Sequence, residues 1–320
     1  MNIKSFLIHA PGNAIAGGCE SLHQLGDAIN RLGGDASMCY YPHDKSFTKP
    51  DKFSRYNIQS STFKDSLNVV HVFPEIYTKL SQKVSKGTSC IFWLSIDNYY
   101  FKKDHFNPFE RYKKYYGSLL TARLPIFRMK NMIHLMQSEY AALHFKNKNL
   151  KQFYIGDYVY FDELYNDSLI REDKILYNPA KGLHISEKLI ENNPDLKFLP
   201  LKGYEEGELK NIMRSSKIYI DFGNHPGRDR LPREFVLDGG VLISGLRGSA
   251  KNDKDIPLPK RYKLDANKKS FSSNMGDLLR DILNNFQTAQ NHMGEYRKII
   301  INDKEKHLEM VKRFISNFKN

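Results

Sequence analysis

The sequence predicts an α/β protein built on two parallel sheets, each covered by helices on both faces. Three observations carry that expectation. The chain has 320 residues, long for a single hydrophobic core. Short apolar runs alternate with amphipathic stretches, the pattern of strands joined by helical crossovers. The alternation lapses over an aromatic and acidic stretch, Phe153 to Arg171, and then begins again.

Ser5 to His9 is the first apolar run. A Gly-rich turn (Gly12, Gly17, Gly18) follows it and opens a helix with apolar positions at Leu22, Leu25, Ala28, Ile29 and Leu32. Ala36 to Tyr41 reads as the next strand. Leu67 to Phe73, Ser89 to Ser95 and Met132 to Gln137 read as further buried strands. In the second series, strands are expected at 174–177, 197–200, 217–222 and 241–244, with helices at 182–192, 205–215 and 231–238. Two long amphipathic helices, 275–286 and 294–318, close the chain. The expected division is an N-terminal Rossmann-like domain over 1–155, a linker over 156–172 and a second Rossmann-like domain over 173–298. A final helical segment, 299–320, is read as packing back towards the first domain. The two domains are expected to face each other across a cleft.

Hydrophobic residues make up 40% of the chain, enough for globular cores. Lys and Arg total 49 against 36 Asp and Glu, a formal charge of +13 that points to an anionic partner. Nucleic acid, a nucleotide substrate and an acidic membrane surface all satisfy it. Cys19, Cys39 and Cys90 are widely spaced, with no CxxC, which suits a reducing cytoplasm and predicts neither a disulfide framework nor a zinc site. The opening MNIKSFLIHAPG is too short in its apolar part for a signal peptide. No run approaches the ~20 apolar residues of a spanning helix. A cytoplasmic protein is expected, attached at most to the inner membrane surface.

The most informative stretch is Lys217 to Ser249 (KIYIDFGNHPGRDRLPREFVLDGGVLISGLRGS). A buried strand empties into a Gly/Pro turn carrying His225, Arg228, Asp229, Arg230, Arg233 and Glu234, and a helix follows. Cations massed past the C-terminal end of a strand, where a helix starts, suit an anionic ligand. Lys181 occupies the equivalent place after the 174–177 strand, where its ammonium and the amides of a helix start can converge on phosphate. Arg228 and Arg230, with Arg233, can supply planar bidentate recognition of the same group. Among the histidines His225 is the candidate for chemistry because it sits inside the basic turn. His9, His43, His105 and His134 read as packing or surface residues, and no HxxxH or HxH pattern argues for a metal. Asp97 follows the apolar run CIFWLS at the sheet's C-terminal side and is the candidate to engage or deprotonate an acceptor hydroxyl. An Asx turn explains Asp97 equally well.

The blocks YNPAKG (Tyr177 to Gly182), DFGNHPGRDRLPRE (Asp221 to Glu234) and GGVLISGLRGSA (Gly239 to Ala250) resemble a group of bacterial GT-B glycosyltransferases with a GT4-like donor domain. Such enzymes often belong to surface-polysaccharide synthesis, of capsule or O-antigen lipopolysaccharide. PGNAIAGGCESLHQLGDAINRLGG, FWLSIDNYY and HLMQSEYAALHF resemble the same group, so the likeness spans most of the chain. The resemblance implies transfer of a sugar from a nucleotide sugar to a glycan or lipid-linked acceptor, with no cofactor and no metal. It implies donor contacts for Asn178, Lys181, Arg228, Arg230 and Glu234, the last accepting hydrogen bonds from ribose hydroxyls. Gly17 and Gly18 are implied at the donor phosphates or the acceptor, where glycine permits close approach; a plain tight turn explains them as well. One departure stands out. The position eight residues before Glu234 is Pro226, where related enzymes carry a first glutamate, and His225 and Asp229 are the available stand-ins.

Tyr99 to Tyr116 interleaves aromatics with Lys and Arg. This suits an anionic membrane surface, a single-strand nucleic-acid platform or a plain solvated helix-loop. A nucleotide-sugar epimerase on the same fold and a basic nucleic-acid binder are the alternatives to a transferase. The sequence lacks RNP, KH and zinc-finger signatures, so no nucleic acid is expected as partner.

Overall fold

A computed structural model describes residues 4–102, 106–161, 163 and 169–318; His105 lies outside them. The chain divides into two compact units: residues 1–158, 226–228 and 303–320 form the first, and 159–225 with 229–302 form the second.

The first unit holds a parallel sheet of seven strands: β1 (Ser5–Pro11), β2 (Asp35–Tyr41), β3 (Gln59–Ser60), β4 (Val69–Pro74), β5 (Thr88–Trp93), β6 (Ile133–Met136) and β7 (Lys151–Tyr154). Their spatial order is β3-β2-β1-β4-β5-β6-β7, so the winding reverses between β1 and β4. Its helices are α1 (Gly17–Arg31), α2 (Ile96–Tyr99), α3 (Pro108–Thr121) and α4 (Glu139–Phe145). Strands buried on both faces need continuous apolar runs, and β4 (VVHVFP) is buried throughout. Helix α1 is buried from Cys19 to Ile29, polar residues included. These are satisfied internally: Tyr56 Oη donates to Glu20 at 2.6 Å, and His23 lies 2.7 Å from the Cys19 carbonyl and 2.8 Å from Tyr40 Oη. Val311, Phe314, Ile315 and Phe318, from the end of the chain, complete the core over β1.

The second unit holds four parallel strands: β8 (Glu172–Tyr177), β9 (Lys197–Pro200), β10 (Ser216–Asp221) and β11 (Val241–Ser244). Their order is β11-β10-β8-β9, which places the switch point between β8 and β10. Helices α5 (Leu183–Glu191), α6 (Glu206–Ser215), α7 (Arg230–Leu237), α8 (Phe271–Asn284), α9 (Phe286–Asn291) and α10 (Gly294–Ser316) follow in chain order, α10 belonging to this unit only as far as Asn302. β10 and β11 form the centre of this core, packed by Phe235, Leu279, Ile282 and Tyr296.

Several elements differ from the sequence reading; the expected 275–286 helix, for one, is divided into α8 and α9. β7 takes Phe153 and Tyr154, assigned above to the irregular junction, because their pairing with Leu135 and Met136 extends the first sheet. The segment around Tyr99 to Tyr116, for which a helix-loop is one of the readings above, contains a helix of 14 residues, α3, started by a capping box between Asn107 and Glu110 with Pro108 in the first turn. Asp97 lies inside the one-turn helix α2, capped by Ser95, rather than in a loop.

Candidate active site at the second switch point

In an open α/β sheet, ligands bind beyond the carboxyl ends of the strands where the winding reverses. In the second unit that point is flanked by the loops after β8 and β10. The sequence places Lys181 on one and Asp221, His225 and Asp229 on the other, and the structure brings all four together. Lys181 Nζ lies 2.8 Å from Asp221 Oδ2 and 2.5 Å from Asp229 Oδ2. His225 is wholly buried; its Nε2 is 3.3 Å from Asp221 Oδ1 and its Nδ1 3.5 Å from Asp229 Oδ2.

Two glycines permit this approach. Gly182 has φ of 66°, in the left-handed region, and a Cβ there would stand 2.7 Å from the Gly223 amide nitrogen. A Cβ on Gly223 would stand 2.5 Å from Lys181 Cγ. The lysine stem therefore lies across Gly223, and α5 begins directly after Gly182, so the positive end of that helix adjoins the ammonium. The loop after β11 is fastened here too, since Ser249 N donates to the His225 carbonyl at 2.9 Å.

Asp221 is the hub. It accepts from Tyr219 Oη at 3.0 Å and from the Gly223 amide at 3.1 Å besides contacting Lys181 and His225. Burial alone would raise its pKa, but His225 and Lys181 outweigh that and hold it well below the carboxylate range. Burial likewise works against the Lys181 charge, and the two carboxylates together reverse it, raising the ammonium above its ordinary value. The Tyr219 phenol, wholly buried beside Asp221, is pushed far up and stays protonated.

The other residues singled out by the sequence fall as follows. Asn178 closes the turn after β8, its Oδ1 accepting from the Ala180 amide at 2.9 Å. Arg230 and Glu234 are both partly buried on α7, with Asp229 as N-cap residue. Arg233 is buried and donates from Nε to the Asp229 carbonyl at 3.2 Å. Arg228 is different: it belongs to the first unit, where Nη2 meets Asp303 at 2.7 Å and Nη1 donates to the Asp157 carbonyl at 2.9 Å. Its side chain is 8% exposed.

In the first unit, Gly17 and Gly18 form the opening of α1, whose N-cap Ala16 offers no side-chain acceptor. Asp97 is buried and accepts from Tyr140 Oη at 3.0 Å, with Lys102 at 3.8 Å. The sequence reading passed over Glu75, which follows β4 at the switch point of the first sheet. It is buried, accepts from the Leu94 amide at 3.2 Å, and burial pushes its carboxyl up to about 8. An acid at the C-terminal end of an apolar strand is the signal that marks both Glu75, just past β4, and Asp221, the last residue of β10.

No protein-family profile and no curated protein sequence matches the chain. Solved structures do. Sucrose-phosphate synthase from Thermosynechococcus elongatus superposes with a TM-score of 0.67 at 10% identity, covering 98% of this chain and 99% of that one. A glycosyltransferase from Rickettsia africae gives 0.63 at 15%, covering 100% and 98%. These neighbours settle the architecture. The chain has the GT-B fold. A third neighbour, a variant of S. aureus TarM in complex with fondaparinux, alpha-GlcNAc-glycerol and UDP, gives 0.56 at 11%. It is matched over 80% of this chain, which spans 56% of TarM's length. GT-B places two Rossmann-like domains in one chain, in keeping with the two parallel sheets and their separate switch points.

Proposed function

We propose that this protein is a glycosyltransferase that moves a sugar from a nucleotide-sugar donor to a glycan or lipid-linked glycan acceptor in cell-surface polysaccharide synthesis. The observation that carries the proposal is the Lys181 ammonium, held by Asp221 and Asp229 at the switch point of a GT-B second domain. Transfer leaves a nucleoside diphosphate, and its developing charge needs a preorganised cation. Asp221, 1% exposed, fixes the amine; Asp229, 22% exposed, is the carboxylate that a phosphate can replace. Arg230 and Arg233 keep the loop cationic despite these acids, and Glu234 is the proposed partner of the ribose hydroxyls. Arg228, whose guanidinium pairs with Asp303, is a further proposed donor contact.

The fold neighbours support the donor class: UDP accompanies the TarM variant, and the trehalose-6-phosphate protein from E. coli is bound with UDP-2-fluoro glucose. The reaction is proposed to need no metal, the ammonium acting as the cation. His225 and Asp97 are the proposed catalytic groups, and Gly17 and Gly18 the proposed backbone contacts at the opening of α1.

An amphipathic surface supports a lipid-linked acceptor at the cytoplasmic membrane face. On α3, Phe109, Tyr112, Tyr116 and Leu120 follow at three- and four-residue steps and are 75%, 61%, 51% and 78% exposed. Arg111, Lys113 and Lys114 flank them, a combination that suits an anionic interface. No helix among the described residues is long and apolar enough to cross a membrane.

The test is donor binding and turnover across UDP-, GDP- and CMP-sugars, with and without EDTA. The expected result is thermal stabilisation by one nucleotide class, about 2.7 kcal/mol at a hundredfold excess over Kd, unaffected by chelator and accompanied by acceptor-dependent release of that nucleotide. Absence of both stabilisation and turnover would sink the proposal, and loss of turnover with EDTA would sink its metal-free form.

A further inference from the structure

The first unit contains a second cluster that the proposed transfer does not use. On adjacent parallel strands, His9 of β1 is the direct register partner of Cys39 of β2. Two residues beyond β2 the chain returns His43 to the same place, so that His9, Cys39 and His43 each offer a ligand atom within 4.8 Å of the others. His9 Nδ1 stands 3.3 Å from His43 Nε2. A zinc ion with Zn–N bonds of about 2.0–2.1 Å in tetrahedral geometry separates two nitrogen ligands by about 3.3–3.4 Å. The imidazoles are already spaced as two corners of that tetrahedron.

The surroundings complete the case. The other nitrogen of His9, Nε2, is 3.1 Å from Nδ1 of buried His71 on β4, the outer partner that orients a ligating histidine and fixes its tautomer. His9 and Cys39 are buried while His43 is only partly so, which gives an ion a path from solvent. Two imidazoles and a thiol are the donor set of zinc-class ions rather than of magnesium or calcium.

We propose that His9, Cys39 and His43 form a binding site for a divalent transition-metal ion of the zinc class, with His71 as outer-sphere support and the fourth position left to water or an exogenous ligand. The site lies on β1 and β2, apart in sequence and chemistry from Asp221, His225 and Asp229, the other metal-capable group among the described residues.

Cobalt(II) titration of chelator-treated full-length protein tests it. One equivalent is expected to give the intense visible bands of tetrahedral cobalt together with a thiolate-to-cobalt charge-transfer band, both abolished by added zinc. Cys39→Ser is expected to remove the charge-transfer band. His43→Ala, at a partly exposed position and therefore compatible with folding, is expected to weaken binding at least about tenfold. His225→Ala is expected to leave the spectrum as it is. The proposal is overturned if the wild-type protein gives no tetrahedral spectrum, or if the spectrum persists in both Cys39→Ser and His43→Ala. Loss of the spectrum in His225→Ala alone would overturn it too, assigning the ion to the other cluster.

Discussion

Two buried carboxyls with opposite titration behaviour define the chemistry available to single residues. Asp221 stays ionised because four donors converge on it; Glu75 is pushed up to about 8 because burial outweighs the amide hydrogen bond it receives. For Glu75 the folded protein holds its proton to higher pH than the unfolded chain, whose carboxyl ionises near 4.5. Stability therefore falls as pH rises from about 4.5 through about 8, because the unfolded state binds fewer protons across that window. Glu75→Gln should flatten that decline and raise stability above pH 8 by an amount on the order of a few kcal/mol, read from urea unfolding at several pH values. Equal slopes in wild type and variant would show that the carboxyl is solvated. Lys181 and Asp221 need a paired test, since breaking a buried ion pair by removing one partner costs about 3–5 kcal/mol. Asp221→Asn alone should lower stability by that order. The double variant Lys181→Met/Asp221→Asn should recover most of the loss while nucleoside-diphosphate affinity falls at least tenfold. Recovery of stability with unchanged affinity would remove Lys181 from the donor site.

Elements owe their places to local signals that differ in legibility. β9 and β11 run over the residues expected of them: β11 is buried throughout and leaves a continuous apolar run after a Gly pair, while β9, an edge strand with no buried residue, is bounded by Pro200. Helix α3 was readable in principle: Asn-Pro-Phe-Glu is a capping sequence, but its exposed aromatics break the usual one-sided apolar pattern. That exposure is itself testable. Phe109→Ser with Leu120→Ser should reduce co-sedimentation with phosphatidylglycerol vesicles several-fold and leave the melting temperature within about a degree, since exposed substitutions change stability by no more than about 0.5 kcal/mol. Undiminished vesicle binding would remove α3 from the membrane reading. The loop geometry at Lys181 follows from glycine rather than charge. Gly182→Ala forces a left-handed φ on a residue with a Cβ that meets the Gly223 backbone, so it should cost about 1–3 kcal/mol and displace the lysine. The candidate site was half legible for a related reason. His225 and Asp229 stand in a recognisable basic turn and Lys181 in the loop after β8, whereas the meeting of His9, Cys39 and His43 depends on strand register, which no local pattern records.

At the scale of the whole chain, the two units are not two consecutive stretches of sequence. The segment 226–228, from the loop after β10, belongs to the first unit, and so does the chain from Asp303 onwards. Within that unit Arg228 binds Asp303 and Asp157, Gly227 comes so close to Leu94 that a Cβ would stand 2.4 Å from its carbonyl oxygen, and His307 Nδ1 lies 2.5 Å from the Gly156 carbonyl. The first fold is therefore finished only by residues encoded after the second. Val311, Phe314, Ile315 and Phe318 are all buried in its core. Burying such a side chain is worth about 1.5–3 kcal/mol, so losing the four together removes roughly 6 kcal/mol or more, as much as the whole stability of many domains. A chain ending at residue 302 is expected to lose the first unit while keeping the second. Limited proteolysis should then degrade the segment before residue 158 and spare a fragment beginning near residue 159. Equal protection of both segments would show that β1 to β7 make a sufficient core without the closing helix. In the intact chain Asp303→Asn is expected to lower stability by about 3–5 kcal/mol, because it leaves the buried Arg228 guanidinium without its carboxylate, and a change below about 1 kcal/mol in urea unfolding would show the pair to be solvated.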